Sequence, residues 1–278
     1  MSSLVYKVVK GIKSDGFRKL LLKPLFRKNH LHLDYFKSVD DKFFIYGVDK
    51  KYFPSEKLNW YMHFGMLRST CEDICQFHYK VKEGDTIIDI GAGLGEEAIV
   101  LSEKVGSTGK IYSIEANPRV YQILKKVVEL NKCSNVEVLN LAINREDADI
   151  TIVDDDDSYK TGFVGEKKNE NLVKVPGLRL DSFIKKFRIE RIDLLKCNIE
   201  GAERFLVDSI DESFLPRIRN VAIACHDFRY SENQNDFFVT KEYIMNYLKR
   251  NSFEIVTRNS GIDYKDDWVY GRNLKAAQ

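Results

Sequence analysis

The chain lacks any run approaching the roughly 20 apolar residues that a membrane-spanning helix requires. Its first residues show neither the apolar core nor the small-residue cleavage site of a secretory signal, so a cytoplasmic location is expected. Cysteine is sparse. Cys71, Cys75, Cys133, Cys197 and Cys225 are odd in number and scattered, without zinc-ligand spacing or the density of a disulfide scaffold, which predicts reduced thiols. Cys71 and Cys75 stand four apart and are expected to share a helix face as buried small side chains. No internal repeat is present. The acidic run from Asp154 to Asp157 lacks the ligand alternation of a calcium loop and reads as an exposed loop of mutually repelling charges.

What is present suits a folded globular protein. The 278 residues are 44% hydrophobic and 31% charged, enough for one sizeable core and a small extra piece. The net charge of +2 is unevenly spread: residues 1–33 hold eight Lys or Arg against one acid, so that segment is +7 and the remainder −5. Its apolar residues, among them Val8, Val9, Ile12, Phe17, Leu20, Leu21, Leu25 and Phe26, are spaced for one or two amphipathic helices with Lys and Arg outside. Such a segment packs on its own domain or a partner, or touches an anionic membrane surface; a nucleic-acid partner is not expected. A mainly helical N-terminal extension over residues 1–65 is predicted, followed by one domain over residues 66–278.

Beyond residue 40 the pattern alternates. A strand is expected at residues 43–48, and Ser69 with Glu72 forms a capping-box pattern for a helix running to about Val81. A strand at 86–90, a helix at 96–105, a strand at 111–115 and a helix opened by Asn117 and Pro118 follow, the last with Val120, Ile123, Leu124, Val127 and Val128 on one face. A strand at 136–143 comes next, then an antiparallel excursion pairing 150–153 with 172–175. Asp181 is expected to cap a helix. Strands at 192–197 and 220–225, helices from about 202 and at 240–250, and a closing strand pair at 253–257 and 268–271 complete the chain. Strands separated by helices argue an α/β fold, a largely parallel sheet covered on both faces, with ligands in the crevice at the strands' carboxyl ends.

The chemical signal is Asp85-Thr-Ile-Ile-Asp89-Ile-Gly91-Ala92-Gly93-Leu-Gly95-Glu96, a buried strand entering closely spaced glycines and then a helix. Nicotinamide and flavin proteins use a glycine-rich turn as well. Here the order is Gly-x-Gly-x-Gly, and Asp89 precedes it where it would meet the cationic amino end of a methionine moiety. Glu115, closing the next strand, is placed to accept hydrogen bonds from both hydroxyls of an adenosine ribose. Together they read as an S-adenosylmethionine site formed by Asp89, Gly91, Ala92, Gly93, Gly95, Glu115, Ala116 and Asn198.

Three blocks carry a resemblance: Gly84-Asp85-Thr-Ile-Ile-Asp89-Ile-Gly91-Ala-Gly93, Gly109-Lys-Ile-Tyr-Ser-Ile-Glu115-Ala-Asn-Pro118, and above all Arg191-Ile-Asp-Leu-Leu-Lys196-Cys-Asn198-Ile-Glu200-Gly201-Ala-Glu203. Over residues 83–225 the chain resembles the FkbM-type methyltransferases. The resemblance implies a Rossmann-like, seven-stranded class I methyltransferase sheet and O-methyl transfer, commonly to hydroxyls of sugars or other small molecules. Gly93 stands where the family usually has Asn, which still serves a tight turn. Asn198 stands where it usually has Asp, and cannot take a proton or carry charge.

The protein's task in such a reaction is to align an acceptor hydroxyl, exclude water and remove a proton. Candidates for the proton acceptor on the loops after the fourth and fifth strands are Glu200, Glu203, His226 and Asp227, with Glu203 read rather as a helix N-terminal carboxylate facing backbone amides; Lys196, in the fourth strand, is the further catalytic candidate. His226 fits a base by its ordinary pKa of about 6.5; a hydrogen-bonded structural group is the other reading. Lys196 either pairs with Glu200 or orients substrate. A divalent ion on Glu200, His226, Asp227 and Asn198 is conceivable chemically but the mixed ligand set does not predict one. The expected acceptor is a small-molecule or glycan hydroxyl; the alternatives are a macromolecule docked by the basic N-terminus, or a cofactor-binding protein without catalysis. The aromatics Phe43, Phe44, Tyr46, Tyr52, Phe53, Trp60 and Tyr61 either pack the extension or roof the acceptor pocket.

Overall fold

A computed structural model describes residues 3–40, 42–59, 61–154 and 172–276. Helices α1 (Ser3–Gly11) and α2 (Asp15–Arg27) precede an antiparallel meander of β1 (Leu33–Ser38), β2 (Phe44–Val48) and β3 (Lys51–Ser55). Then come α3 (Phe64–Asp73), β4 (Thr86–Ile90), α4 (Glu96–Val105), β5 (Lys110–Ile114), α5 (Pro118–Leu130), β6 (Val136–Leu139), β7 (Ala142–Ile143), β8 (Ile150–Val153), β9 (Leu172–Val175), β10 (Gly177–Leu178) and α6 (Leu180–Lys186). The remainder is β11 (Leu194–Cys197), α7 (Glu203–Asp208), β12 (Asn220–Ala224), α8 (Phe228–Asn233), α9 (Lys241–Arg250), β13 (Phe253–Thr257), α10 (Asp263–Asp266) and β14 (Trp268–Asn273).

The main sheet has seven strands in the order β13-β14-β12-β11-β4-β5-β6, parallel except for β14, which runs antiparallel to both its neighbours. It is the expected α/β, Rossmann-like seven-stranded sheet. Successive residues of β4 face opposite layers: Ile87 joins one buried cluster with Val100 and Val120, and Ile88 and Ile90 join the other with Phe183 and Leu206. Helix α5 forms where its caps dictate. Asn117 Oδ1 accepts from the backbone N–H of Arg119 and Val120 at 2.9 and 3.3 Å, Pro118 takes the first turn, and Val120, Ile123, Leu124, Val127 and Val128 are all buried. Strand order reverses between β4 and β11, so the loops leaving these two strands open a crevice there.

Several boundaries differ from the sequence reading. The helix before β4 is Phe64–Asp73, so Ser69 and Glu72 are interior positions and Glu72 pairs with Lys104 at 2.7 Å instead of closing a capping box. The apolar period that sets this helix starts upstream, with Phe64, Leu67 and Cys71 turned to the core. Residues 136–143 form two strands because Asn140 leaves the sheet, its Nδ2 donating to the carbonyls of Glu115 and Ala116 at 2.9 Å each, and β7 pairs with β10. Asp181 lies inside α6, whose N-cap is Arg179, and its carboxylate receives the Arg179 guanidinium at 2.8 Å. The antiparallel pairing of β8 with β9 agrees with expectation; of the acidic run between them only Asp154 is among the described residues, half-buried and accepting from Asn117 Nδ2 at 2.8 Å.

The N-terminal extension joins its two helices to a three-stranded meander, where one strand was expected. In β1 a bulge between Leu33 and Tyr35 places Leu33 and Phe36, three apart, on the same buried side, which hides the strand from a period-two reading. Phe43, Phe44, Tyr46 and Phe53 are buried with Phe26 and Phe36, and Tyr46 lies in ring contact with Phe26, Phe36 and Phe53. This cluster is continuous with Val100, Ile111 and Val120 of the main domain. Tyr61 is exposed, and Trp60 lies outside the described residues. Phe43, Phe44, Tyr46 and Phe53 thus pack the extension, and none of the described aromatics of this group lines the crevice.

Candidate active site

The crevice between the β4 and β11 loops is a cavity of about 330 Å³, in the range of small-ligand pockets. The glycine turn forms its floor. Gly91, Gly93 and Gly95 all have left-handed φ, at 71, 56 and 99°. A Cβ at Gly91 would lie 2.0 Å from the Asn198 carbonyl oxygen, so only glycine lets β4 and the β11 loop approach. At Gly93 the same atom would meet open space. Gly95 does not border the cavity; its missing Cβ lets α4 close on Leu124 of α5.

Glu115 directly follows β5 at the cavity wall, 7% exposed. Its Oε2 accepts the Gly93 N–H at 3.0 Å and its Oε1 the Asn117 N–H at 2.8 Å, fixing the carboxylate while leaving each oxygen a further lone pair. Burial pushes its pKa up to about 7 against these two hydrogen bonds. Gly91, Ala92, Gly93, Ala116 and Asn198 also line the space, and Asn198 Oδ1 is buried with no hydrogen-bond partner. Leu141, Ile143, Ile150 and Ile152 supply an apolar wall. A glycine cradle with open space above it, a fixed carboxylate at the end of the second strand and an unsatisfied amide oxygen fit S-adenosylmethionine.

Asp89, expected at the cofactor, and Lys196, expected at Glu200 or the substrate, do not border the cavity either. Asp89 is fully buried. In the parallel register it faces Lys196, whose Nζ sits 2.8 Å from Asp89 Oδ1, 2.9 Å from Glu97 Oε2 and 2.9 Å from the Gly91 carbonyl. Lys196 thus braces the glycine turn from beneath and reaches neither Glu200 nor the cavity. Burial alone would lower its pKa; the Asp89 and Glu97 charges outweigh burial and hold it well above the ordinary lysine value.

The carboxyl ends of β11 and β12 hold a second network. Glu200, in left-handed backbone at φ 58°, borders the cavity and lies 2.6 Å from Arg229 Nη2. His226 stands behind it, with Nε2 3.4 Å from Glu200 Oε2 and Nδ1 2.8 Å from Glu203 Oε1. Burial pulls the His226 pKa down, but the Glu203 hydrogen bond and charge raise it by more, which favours the imidazolium. The ring does not border the cavity and stands against the Glu200 carboxylate, so its geometry is that of a group positioning Glu200. Glu203 is fully buried, accepting from the Gly201 N–H at 3.0 Å and Thr240 Oγ1 at 3.1 Å. Asp227 turns away altogether: its Oδ1 accepts the N–H groups of Thr240 and Lys241 at the start of α9, at 2.8 and 3.0 Å. Among the described residues no group of three or more His, Cys, Asp or Glu side chains converges to hold a metal ion.

The sequence reading missed other cavity residues. Glu96 lines the cavity with a pKa pushed up to about 7 by burial, and Glu97 lines it while pairing with Lys196. Leu67, Thr70 and Cys71 reach it from α3. Glu96 and Glu97 follow the glycines directly and were legible as first-turn acids; nothing local marks α3 as a wall.

A family model described as the methyltransferase FkbM domain matches residues 89–255. Among curated proteins, the chain is 38% identical over 61 residues to a protein-L-isoaspartate O-methyltransferase of Methanococcoides burtonii, covering 22% of this chain and 30% of that one. It is 35% identical over 66 residues to its counterpart in Fervidobacterium nodosum, covering 24% of this chain and 33% of that one, so the match spans only about a third of these relatives. A longer match, 23% identical over 209 residues, covers 68% of this chain and 80% of Methyltransferase 1 of Beauveria bassiana. Among solved structures, methyltransferase FkbM from Methylobacillus flagellatus KT superposes with a TM-score of 0.47 at 17% identity, over 70% of this chain and 45% of that one. With the family model covering more than half of its length, the chain belongs to the FkbM family of S-adenosylmethionine-dependent methyltransferases.

Proposed function

We propose that the acceptor is a hydroxyl of a sugar, glycan or other small molecule, and that Glu200 takes its proton. The observation that carries this reading is the Glu200 carboxylate at the cavity border, fixed between Arg229 at 2.6 Å and the buried His226–Glu203 pair. Bound S-adenosylmethionine supplies an electrophilic methyl group. The acceptor proton becomes strongly acidic only as the new carbon–oxygen bond forms, so a carboxylate of low basicity suffices if it is correctly placed. Arg229 and His226 place it, and Glu203 holds His226 in turn. Glu115, Asn198 and the glycine turn orient the cofactor, while the apolar wall of Ile150 and Ile152 keeps water from the reacting centre.

Glu96 supports a second reading of the proton acceptor, since it shares the cavity and its pKa of about 7 suits general-base work. Transfer of radiolabelled methyl groups to a panel of hydroxylated sugars, with Glu200→Gln and Glu96→Gln, separates the two. On the proposed reading Glu200→Gln binds the cofactor normally by calorimetry and loses roughly 10²–10⁴-fold in turnover. Full turnover by Glu200→Gln with loss in Glu96→Gln moves the role to Glu96. Label entering protein or RNA but no sugar overturns the acceptor class.

A further inference from the structure

Helix α2 carries two apolar faces. Leu22 and Phe26 are buried against the meander, as an amphipathic helix requires. On the opposite side Phe17, Leu20, Leu21 and Pro24 recur at the i, i+3, i+4, i+7 spacing of a single stripe, and all four are exposed, Phe17 at 52% and Leu20 at 60%. That side of a helix packed on its own domain is normally charged. Val8 of α1 is exposed at 53% as well. Of the basic residues of the same segment, Lys7, Lys13, Arg27 and Lys28 are exposed and Lys23 is half-buried. Asp15, the single acid of residues 1–33, is turned inward to Ser38, accepting from Ser38 Oγ at 2.7 Å.

We propose that this face seats the protein on an anionic lipid surface, with the Phe17–Leu20–Leu21 stripe in the acyl boundary and the basic residues at the headgroups. Charge decides between occupants. A second copy meeting the same face would bring two basic rims together, whereas anionic headgroups complement them. A nucleic acid would satisfy the rim and leave the apolar stripe without a function, whereas a bilayer engages both. The inference does not depend on the acceptor or on Glu200.

The test is co-sedimentation of the full chain with phosphatidylcholine vesicles, with and without phosphatidylglycerol at roughly a third of the lipid. The wild type is expected to bind the anionic vesicles alone and to be released by salt. Leu20→Ser with Leu21→Ser should lower the partition coefficient by roughly tenfold or more, since the exposed apolar area supplies the insertion energy. Lys23→Glu, Arg27→Glu and Lys28→Glu together should abolish it. Unchanged Tm and S-adenosylmethionine titration confirm that a variant is folded. Should the double serine variant fail to fold, Leu20→Trp gives the same answer: its fluorescence should shift to the blue on adding anionic vesicles. No vesicle binding by the wild type, binding indifferent to Leu20 and Leu21, a Leu20→Trp spectrum unmoved by vesicles, or RNA displacing the vesicles from wild type and serine variant alike would overturn the proposal.

Discussion

Replacing Lys196 by methionine removes one charge from a place that water does not reach. Lys196 is 1% exposed and Asp89 fully buried. Methionine fills nearly the same volume, so the packing loss is small and the cost is that of a stranded carboxylate: about 3–5 kcal/mol for breaking a buried pair from one side. Glu97, a quarter exposed, rehydrates and adds little. At roughly 2–4 °C per kcal/mol for a domain of this size, Tm should fall on the order of 10 °C. The pH dependence gives a sharper check. Asp89 is already pushed upward by burial against the pull of Lys196, and losing the ammonium raises it further. A carboxyl raised in the folded state favours folding below its unfolded pKa, and that contribution is lost as pH rises through the folded value. The deficit of Lys196→Met relative to wild type should therefore be smaller at pH about 5 than at about 7.5. Adding Asp89→Asn should recover most of it, because two neutral partners leave no buried charge. Urea denaturation followed by circular dichroism at the two pH values measures all three variants. A loss below roughly 1 kcal/mol, or an Asp89→Asn penalty that simply adds to the first, would refute the coupling.

Glu115 and Glu96, both raised to about 7 by burial, confer stability that is complete below their ordinary value of 4.5 and lost as pH climbs through about 7. The cofactor-free protein should accordingly have a higher Tm at pH about 6 than at about 8, with Glu115→Gln flattening the profile. Binding of cationic S-adenosylmethionine favours the ionised carboxylates, so calorimetric enthalpies near neutral pH should vary with the ionisation heat of the buffer and show proton release; buffer-independent enthalpies would contradict this. Gly91→Ala should prevent folding or cost several kcal/mol, since its Cβ would stand 2.0 Å from the Asn198 oxygen, whereas Gly93→Ala should cost only the left-handed backbone penalty of about 1–2 kcal/mol, as denaturation would show.

Much of the main domain was legible because its signals are local. Residues 86–90 are an apolar run ending in glycine, and Asn117-Pro118 announces α5 through its own cap. Where distant partners decide, the sequence pattern fell short. The bulge in β1 broke the alternation that marks a strand, and Asn140 divided what reads as one strand by bonding to backbone 24 and 25 residues away. The cofactor residues follow the same division. Glu115 borders the cavity as its strand-end position implies. Asp89 occupies an equally suggestive position, but its side chain is claimed by Lys196, which the parallel register of β4 and β11 sets opposite it. Spacing locates a residue on a strand; it does not say which neighbour its side chain meets.

The charged residues of the second block divide in the same way. Of Lys196, Glu200, His226 and Asp227, only Glu200 borders the cavity. The other three each support something: Lys196 the glycine turn, His226 the Glu200 carboxylate, Asp227 the first turn of α9. A carboxylate between Arg229 and His226 would lose its fixed position if His226 were free to turn. The buried Glu203 prevents this by holding Nδ1 at 2.8 Å while its own second oxygen is held by Thr240. Methyl-transfer rates of Glu203→Gln and His226→Gln, each with its cofactor affinity, compare the two supports. Removing the Glu203 charge should then cost more in turnover than removing His226 alone, because it leaves a buried imidazole free to lose its proton, its hydrogen bond and its orientation together.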